Sequence, residues 1–379
     1  MTRWTRLLLL APFFASAGCF ATGWPFAAEK PPGEVAFDSF ILQADGKLVS
    51  EKSASALPPG LARDLEAARD AYRKEEYDRA ERLFGAIADN EKNAPVAIQE
   101  AWYYRAECLR LAKRLPKACD SYAALLNKYP STGYRDQCCQ RMYDIACFWL
   151  EETWEEMKQD KERREGKRWI VVPRMFSMEG TKPFFDREGR AVEALERVRL
   201  HDLNGPLADQ ALYRCGVVKM YHENFREADH YFSQIHARHP DGKLAAKSIE
   251  LAVFCKQMAT GGSAYDGRKT AEAKKLIQVA LASYPELAND PEKNKYLKDQ
   301  AKAIDLQQAE KDFNQAEFYR RRGKPGSAYF MYELVRTTYP GTPFAQKAAE
   351  RWASLRAELQ ASGKAIPAPV KPQDRRPTP

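Results

Sequence analysis

The sequence predicts an all-α protein built from repeated helical hairpins, and three recurring features lead to this prediction. Small residues occur in pairs twelve positions apart, an aromatic residue follows the second member of each pair by four positions, and a proline follows three of these second members by twelve. Two helices that cross closely need a small residue on each side where their backbones approach. The predicted repeat-packing residues are Ala68 with Ala80, Ala106 with Ala118, Gly216 with Ala228, and Ala316 with Ala328.

The aromatic and proline positions define the second helix of each hairpin. The aromatic residues are Phe84, Tyr122, Phe232 and Tyr332. Proline cannot continue the helical hydrogen-bond ladder, and it disfavours helical geometry in the residue before it. The second helices are therefore predicted to end just before Pro130, Pro240 and Pro340, and also before Pro285, which follows Ala273 by twelve positions.

Taken together, these positions resemble the tetratricopeptide repeat, a two-helix unit of about 34 residues. The resemblance implies a tetratricopeptide-repeat helical-hairpin solenoid of about five repeats, because such units stack on their neighbours. We expect N-terminal repeats over residues 58–150 and C-terminal repeats over residues 189–362.

An irregular insertion is predicted between the two sets of repeats, over residues 151–188. A charged run there leads into a stretch punctuated by glycine and proline. The insertion is interpreted either as a long connection lying on the repeats or as a partner-docking loop. Two flanking regions are also irregular: residues 20–57, with a small hairpin predicted at 40–49, and a disordered Pro-rich tail at 363–379.

The first eighteen residues have the pattern of a signal peptide. A basic start with Arg3 and Arg6 is followed by an apolar run and then by small residues up to Cys19. Small residues directly before a cysteine resemble the bacterial lipobox, so Cys19 is the predicted lipid-attachment site and residues 19–57 a lipidated linker. The lipobox usually has leucine where this sequence has Ser16, so a soluble periplasmic product is the alternative.

Composition and motifs argue against several classes of function. The formal net charge is +8, but basic and acidic residues alternate, whereas a nucleic-acid interface needs a stripe of one sign. There is no nucleophile elbow, no phosphate-binding loop and no zinc-protease motif, so no enzyme activity, cofactor or small-molecule substrate is expected. Four histidines lie close together in sequence, but no cysteine or carboxylate pair completes a zinc-ligand pattern around them: His222, His230, His236 and His239.

Eight cysteines are present, and seven remain if Cys19 carries lipid. They do not form the spaced pairs of a metal or disulfide framework. They are interpreted as small buried residues at helix contacts, and one or two disulfides are the alternative in an oxidising compartment.

A narrower resemblance is carried by whole segments of the chain. The C-terminal segments are QAEFY at 315–319, RRRGKPGSA at 320–328, YPGTPFAQKA at 339–348 and GRKTAEAKKLIQVALASYP at 267–285. The N-terminal segments are AYRKEEYDRAERLF at 71–84 and YAALLNKYPST at 122–132. These segments resemble the outer-membrane assembly lipoprotein BamD and its relatives. The inserted segment 151–188 has no counterpart in that family's pattern.

This resemblance implies a periplasm-facing scaffold, held to the outer membrane by its lipid, whose partners are the barrel-insertion protein and extended client peptides. The alternative is another periplasmic repeat adaptor that serves a cell-wall or envelope-integrity complex. The resemblance also implies a partner-binding turn formed by Arg320, Arg321, Arg322 and Gly323. A peptide-binding groove also needs exposed aromatic side chains, and the candidates are Tyr72, Trp102, Tyr103 and Tyr104.

Overall fold

The computed structural model describes residues 57–166, 181–183, 186–202, 205–259 and 267–361, and the backbone of two short strands before them. Several predictions therefore lie outside the described residues: the signal peptide, Cys19, nearly all of the linker, the tail 363–379 and the central part of the insertion.

The two strands are β1 (Phe40–Leu42) and β2 (Leu48–Ser50). They pair in an antiparallel hairpin in which Ile41 lies opposite Val49. The small hairpin predicted at 40–49 is thus confirmed.

Everything else in the described parts of the chain with regular structure is helical, so the predicted all-α class is confirmed. The helices are α1 (Pro59–Arg73), α2 (Tyr77–Ala88), α3 (Pro95–Leu111), α4 (Leu115–Lys128), α5 (Arg135–Trp149), α6 (Glu151–Arg164), α7 (Arg187–His201), α8 (Pro206–Tyr221), α9 (Phe225–Arg238), α10 (Ala245–Ala259), α11 (Gly267–Ser283), α12 (Pro285–Ala288), α13 (Pro291–Arg321), α14 (Pro325–Thr338) and α15 (Pro343–Ala361).

Proline sets many of the helix limits, as the sequence predicts. Helices α4, α9, α11 and α14 each end two residues before the proline predicted to stop them. Proline also begins α1, α3, α8, α12, α13, α14 and α15, where the missing N–H would have no partner in any case. In α13 the start is reinforced by Asp290, whose side chain accepts hydrogen bonds from the N–H groups of Glu292 (3.0 Å) and Lys293 (3.1 Å).

The chain divides into two compact units, one up to Cys215 and one from Gly216 onward. In the first unit α1 packs on α2, α2 on α3, α3 on α4, α4 on α5, and α5 on α7. This differs from the predicted division, in which the second set of repeats begins at residue 189. Helix α7 belongs with the first unit because it packs along α5.

The second unit holds two hydrophobic clusters, both of which include part of α13. Leu297 and Ile304, in its first half, are buried with residues of α10, α11 and α12. Ala309 and Ala316, in its second half, are buried with residues of α14 and α15. One continuous helix of 31 residues therefore contributes to both clusters.

The prediction of irregular structure over 151–188 is wrong for its first part, which is helix α6. This helix lacks a continuous apolar stripe, but its ends favour helix formation: Glu151 and Glu152 lie in the first turn, and three basic residues lie in the last. Acidic side chains near the start and basic ones near the end both stabilise the helix dipole. An ion pair one turn apart, Asp160 with Arg163 at 3.0 Å, adds to this.

Contacts at both ends hold the inserted segment to the first unit. The indole N–H of Trp149 donates to the carbonyl oxygen of Thr181 at 2.8 Å, and both residues are buried. The Glu152 carboxylate accepts hydrogen bonds from Lys182 and Arg187. Helices α6 and α7 are thereby connected across the insertion.

Candidate functional site

The alanines predicted to pack the repeats lie in the interior of the protein. Ala68, Ala80, Ala106, Ala118, Ala228, Ala316 and Ala328 are all fully buried. At Gly216 even a methyl group would not fit, because an added Cβ would lie 2.7 Å from the ring of Phe232.

The twelve-residue spacing has a common cause in the turn between the helices. Seven residues after each first small position, the backbone has a positive φ, at Glu75 (61°), Lys113 (60°), Glu223 (61°) and Gly323 (68°). The next residue then donates its N–H to the carbonyl five positions earlier, as Arg114 does to Leu109 at 2.8 Å. The second small residue follows the residue with positive φ by five positions, so this left-handed helix cap sets the spacing of twelve.

A buried polar network joins the helices of the second hairpin to the helix that follows. Arg110 donates to the Glu107 carboxylate, with Nη2 2.5 Å from Oε2, and the Tyr122 hydroxyl donates to the same carboxylate. Arg141, on α5, approaches Glu107 Oε1 to 3.3 Å. Burial, reinforced by the nearby Glu107 charge, raises the pKa of Tyr122 well above its ordinary value.

The same network recurs in the last hairpin, 210 positions later (107 to 317, for example). The Tyr332 hydroxyl donates to Glu317 Oε1 at 2.7 Å, and Arg320 Nη2 lies 3.3 Å from Oε2. Arg351, on α15, lies 3.6 Å from Oε1. Here, however, the arginines reach solvent, since the side chain of Arg320 is 43% exposed whereas that of Arg110 is 1% exposed.

Sequence reasoning missed this network, although the pattern was visible. Ala106 and Ala316 both begin an Ala-Glu-x-x-Arg segment. The other two hairpins have Arg69 or Val217 in place of the glutamate, and phenylalanine at the aromatic position. The tyrosine hydroxyl therefore occurs only in those hairpins where a carboxylate is present to accept its hydrogen bond.

The proposed peptide-contacting role requires exposed aromatic side chains, and this expectation is wrong for three of the four candidates. Tyr72, Tyr103 and Tyr104 are 8%, 5% and 8% exposed. They pack on one another and on their neighbours, with Tyr104 stacked on Phe84 at 5.5 Å and Tyr103 stacked on Tyr134 at 4.6 Å. At helical spacing these rings form the contact between successive helices.

The fourth candidate, Trp102, is half-buried. The Arg105 guanidinium lies 5.5 Å from the centre of its ring. The indole nitrogen is buried and has no acceptor among the described residues. A role for Trp102 in partner binding stays a prediction.

The four residues carried over as the Arg-Gly turn lie together at the junction of α13 and α14, and all are exposed: Arg320, Arg321, Arg322 and Gly323. We call residues 320–323 the basic turn. The Arg322 guanidinium lies 5.2 Å from the ring centre of Phe318, which is itself 46% exposed. An arginine and a solvent-exposed aromatic ring are thus side by side at this end of the hairpin.

Most of the cysteines that the structure describes are buried, whereas His222 and His230 are exposed. Six of the seven described cysteines are buried, Cys147 is half-buried, and none of the seven is in a disulfide. Burial raises the pKa of Cys119 to about 12 and that of Cys147 to about 11, so both stay protonated at neutral pH. His236 Nδ1 lies 2.8 Å from the Tyr284 hydroxyl.

Nowhere in the described ranges do three or more histidine, cysteine or acidic side chains gather as a metal site would require. None of the described helices combines the length and the apolar composition needed to cross a membrane.

Comparison with known proteins supports the repeat architecture. A family model described as the tetratricopeptide repeat matches residues 100–132, which contain the end of α3 and all of α4. Among solved structures, a tetratricopeptide repeat protein from Parabacteroides merdae matches at 13% identity over 81% of this chain and 94% of that chain, with a TM-score of 0.28. A TM-score this low does not establish a common overall arrangement. No protein of curated function matches this sequence. Residues 100–132 are thus similar to a tetratricopeptide repeat, and the same small-residue spacing and turn geometry recur in three other hairpins of this chain.

Proposed function

We propose that this chain is a periplasm-facing lipoprotein scaffold that resembles BamD and binds the barrel-insertion protein and client peptides during outer-membrane protein assembly. Support comes first from the resemblance over residues 71–84, 122–132, 267–285, 315–328 and 339–348, together with the signal-peptide and lipobox pattern that ends at Cys19. The proposed location is the periplasmic face of the outer membrane.

The observation that carries this proposal is the exposure of the basic turn in the last hairpin. Arg320, Arg321 and Arg322 are all exposed, and Phe318 lies beside them. Arginine and aromatic side chains dominate the binding energy of many protein interfaces, because both offer a large contact area with directional contacts. In the second hairpin, by contrast, Asp78 of the preceding hairpin pairs with Arg114 at the corresponding end. In the basic turn Arg320 keeps its ion pair with Glu317, and Arg321 and Arg322 are exposed to solvent beside it.

A crosslinking pull-down from membranes tests the proposal. The tagged native chain and a Cys19→Ala variant are compared, and bound proteins are identified by mass spectrometry. We expect the native chain to recover the barrel-insertion protein from the outer-membrane fraction and the variant to move to the soluble fraction. Recovery of cell-wall or envelope-integrity proteins in place of the barrel-insertion protein would favour the alternative adaptor.

A matched pair of variants tests whether the basic turn makes the contact. Phe318→Ala removes the exposed ring beside Arg322, and Leu200→Ala removes another large exposed apolar side chain, 54% exposed, on α7 of the first unit. We expect Phe318→Ala to reduce crosslinking to the barrel-insertion protein at least fivefold, and Leu200→Ala to leave it unchanged. Equal crosslinking in both variants would remove the basic turn from the interface.

A further inference from the structure

Arg214 stands apart from the other partly buried arginines of the first unit. It lies on α8, and its Nε donates to the hydroxyl oxygen of Tyr143 at 2.7 Å. That hydroxyl in turn donates to Gln210 Oε1 at 3.0 Å. Arg69 and Arg199 are comparably buried, but each pairs with a glutamate, at 2.6 Å and 2.8 Å respectively. Among the described residues no carboxylate pairs with Arg214.

Two aromatic rings lie next to the guanidinium of Arg214. Its central carbon lies 5.3 Å from the ring centre of Tyr143 on α5, and 5.9 Å from that of Trp154 on α6. Rings at this distance attract the cation and hold its plane in place. They do not neutralise its charge, as a carboxylate would.

A second donor without a partner belongs to the same group of side chains. The indole nitrogen of Trp154 is buried and has no acceptor in the part of the chain that the structure describes. Leaving a buried donor unpaired costs about 1–3 kcal/mol, so such groups in native proteins usually have a ligand, water or ion as partner. The Arg214 site, which we define as Arg214, Tyr143, Trp154 and Gln210, therefore combines an uncompensated cation with an unpaired N–H group.

We propose that the Arg214 site binds a carboxylate of a partner protein segment. A guanidinium whose Nε is already occupied still offers its two terminal nitrogens, and carboxylates accept hydrogen bonds from such paired donors. The ring of Trp154 lies beside the guanidinium, so its indole N–H resonance reports on a ligand bound there. The inference rests on the proposed protein-binding function for the source of the carboxylate, which is either an acidic side chain or the free end of a chain.

Nuclear magnetic resonance of the isotope-labelled full chain tests the site with small probes. Two acetylated tripeptides each carry one carboxylate: Ala-Glu-Ala with an amidated end presents it as a side chain, and Ala-Ala-Ala with a free end presents it at the terminus. Acetylated and amidated Ala-Ala-Ala has none. The indole N–H resonance of Trp154, assigned by its loss in Trp154→Phe, reports binding at constant ionic strength.

We expect a saturable shift of this resonance with at least one acidic probe and none with the neutral probe. The acidic probe that binds more tightly identifies the source of the carboxylate. In Arg214→Gln the apparent affinity should fall at least tenfold. Arg82→Gln, which removes the same charge from an exposed position on α2, should bind as the unmodified chain does.

Absence of a saturable shift with both acidic probes, or an unchanged affinity in Arg214→Gln, would overturn the proposal. If Arg214→Gln does not fold, Arg214→Lys provides the same test, because it keeps the charge and loses the paired donors; we expect several-fold weaker binding. These probes need no partner protein. A negative result here and a negative pull-down are therefore separate outcomes.

Discussion

Glu107 and Glu317 occupy the same place in the second and the last hairpin, with the same tyrosine and the same two arginines around each. The side chain of Glu107 is 4% exposed and that of Glu317 is 20% exposed. Burial lowers the pKa of Arg110, but the Glu107 charge, with a smaller contribution from Tyr72 of the preceding hairpin, raises it above its ordinary value. Because the side chains of the network are the same in both copies, comparing them shows the effect of burial alone.

The difference shows how one sequence pattern serves two purposes. Buried in the first unit, the charges must stay paired, because an isolated charge in the protein interior costs several kcal/mol. Near the surface in the second unit, water screens the same charges and the arginines stay accessible. A partly exposed copy of an internal contact can accept a partner at little cost to stability.

The largest expected effect comes from removing the shared carboxylate. Glu107→Gln removes the buried carboxylate that Arg110 and Arg141 share, and we expect the free energy of unfolding of the first unit to fall by about 3–5 kcal/mol. Glu317→Gln should lower the stability of the second unit by less than about 1 kcal/mol, because its charges are largely solvated. Urea unfolding followed by circular dichroism measures both.

Equal losses in these two variants would contradict the assignment of buried and exposed copies. The substitutions are matched, since each removes one charge from the same position of a hairpin and keeps the size of the side chain.

A smaller effect is expected from removing only the hydroxyl. Tyr122→Phe deletes the hydrogen bond to Glu107 inside the protein, and we expect a loss of about 1–2 kcal/mol. Tyr332→Phe should cost less than half as much, because water reaches the remaining carboxylate. The ring itself is tolerated in both places, as Phe84 and Phe232 show in the other two hairpins. Thermal unfolding of the two variants measures the difference.

Substitutions at the turns that follow the two networks should change stability with opposite signs. Lys113 has a positive φ that favours glycine, so Lys113→Gly should raise stability by about 0.5–1 kcal/mol. Gly323→Ala introduces a Cβ at the same conformation and should lower stability by about 1–2 kcal/mol.

Midpoint temperatures from calorimetry give both values. A stabilising effect of Gly323→Ala would refute the common turn geometry of the two hairpins.

The hairpins could be predicted from the sequence because their determinants are local. A small residue, a turn and a proline act within about thirty positions, and each constrains the backbone directly. Ala106, Ala118 and Pro130 show this within a single repeat. The same spacing predicted a small residue at Gly216, where the ring of Phe232 leaves no room for a Cβ.

What the sequence could not provide depends on contacts between distant residues. Tyr103 and Tyr104 are polar enough to lie at a surface, and only the packing of neighbouring helices shows that they are buried. Helix α6 was missed because its stability comes from charges at its ends and not from an apolar stripe. The isolation of Arg214 depends on which side chains α5, α6 and α8 bring together.

Helix α13 has a further consequence for how force would travel through the second unit. At about 1.5 Å per residue, its 31 residues form a rigid rod of about 46 Å. One end of the rod is fixed in the cluster with α10 and α11, and the other ends at the basic turn. A load applied to the turn is therefore transmitted along the rod to the other hydrophobic cluster. Pulling the last hairpin away from the second unit then requires both clusters to break.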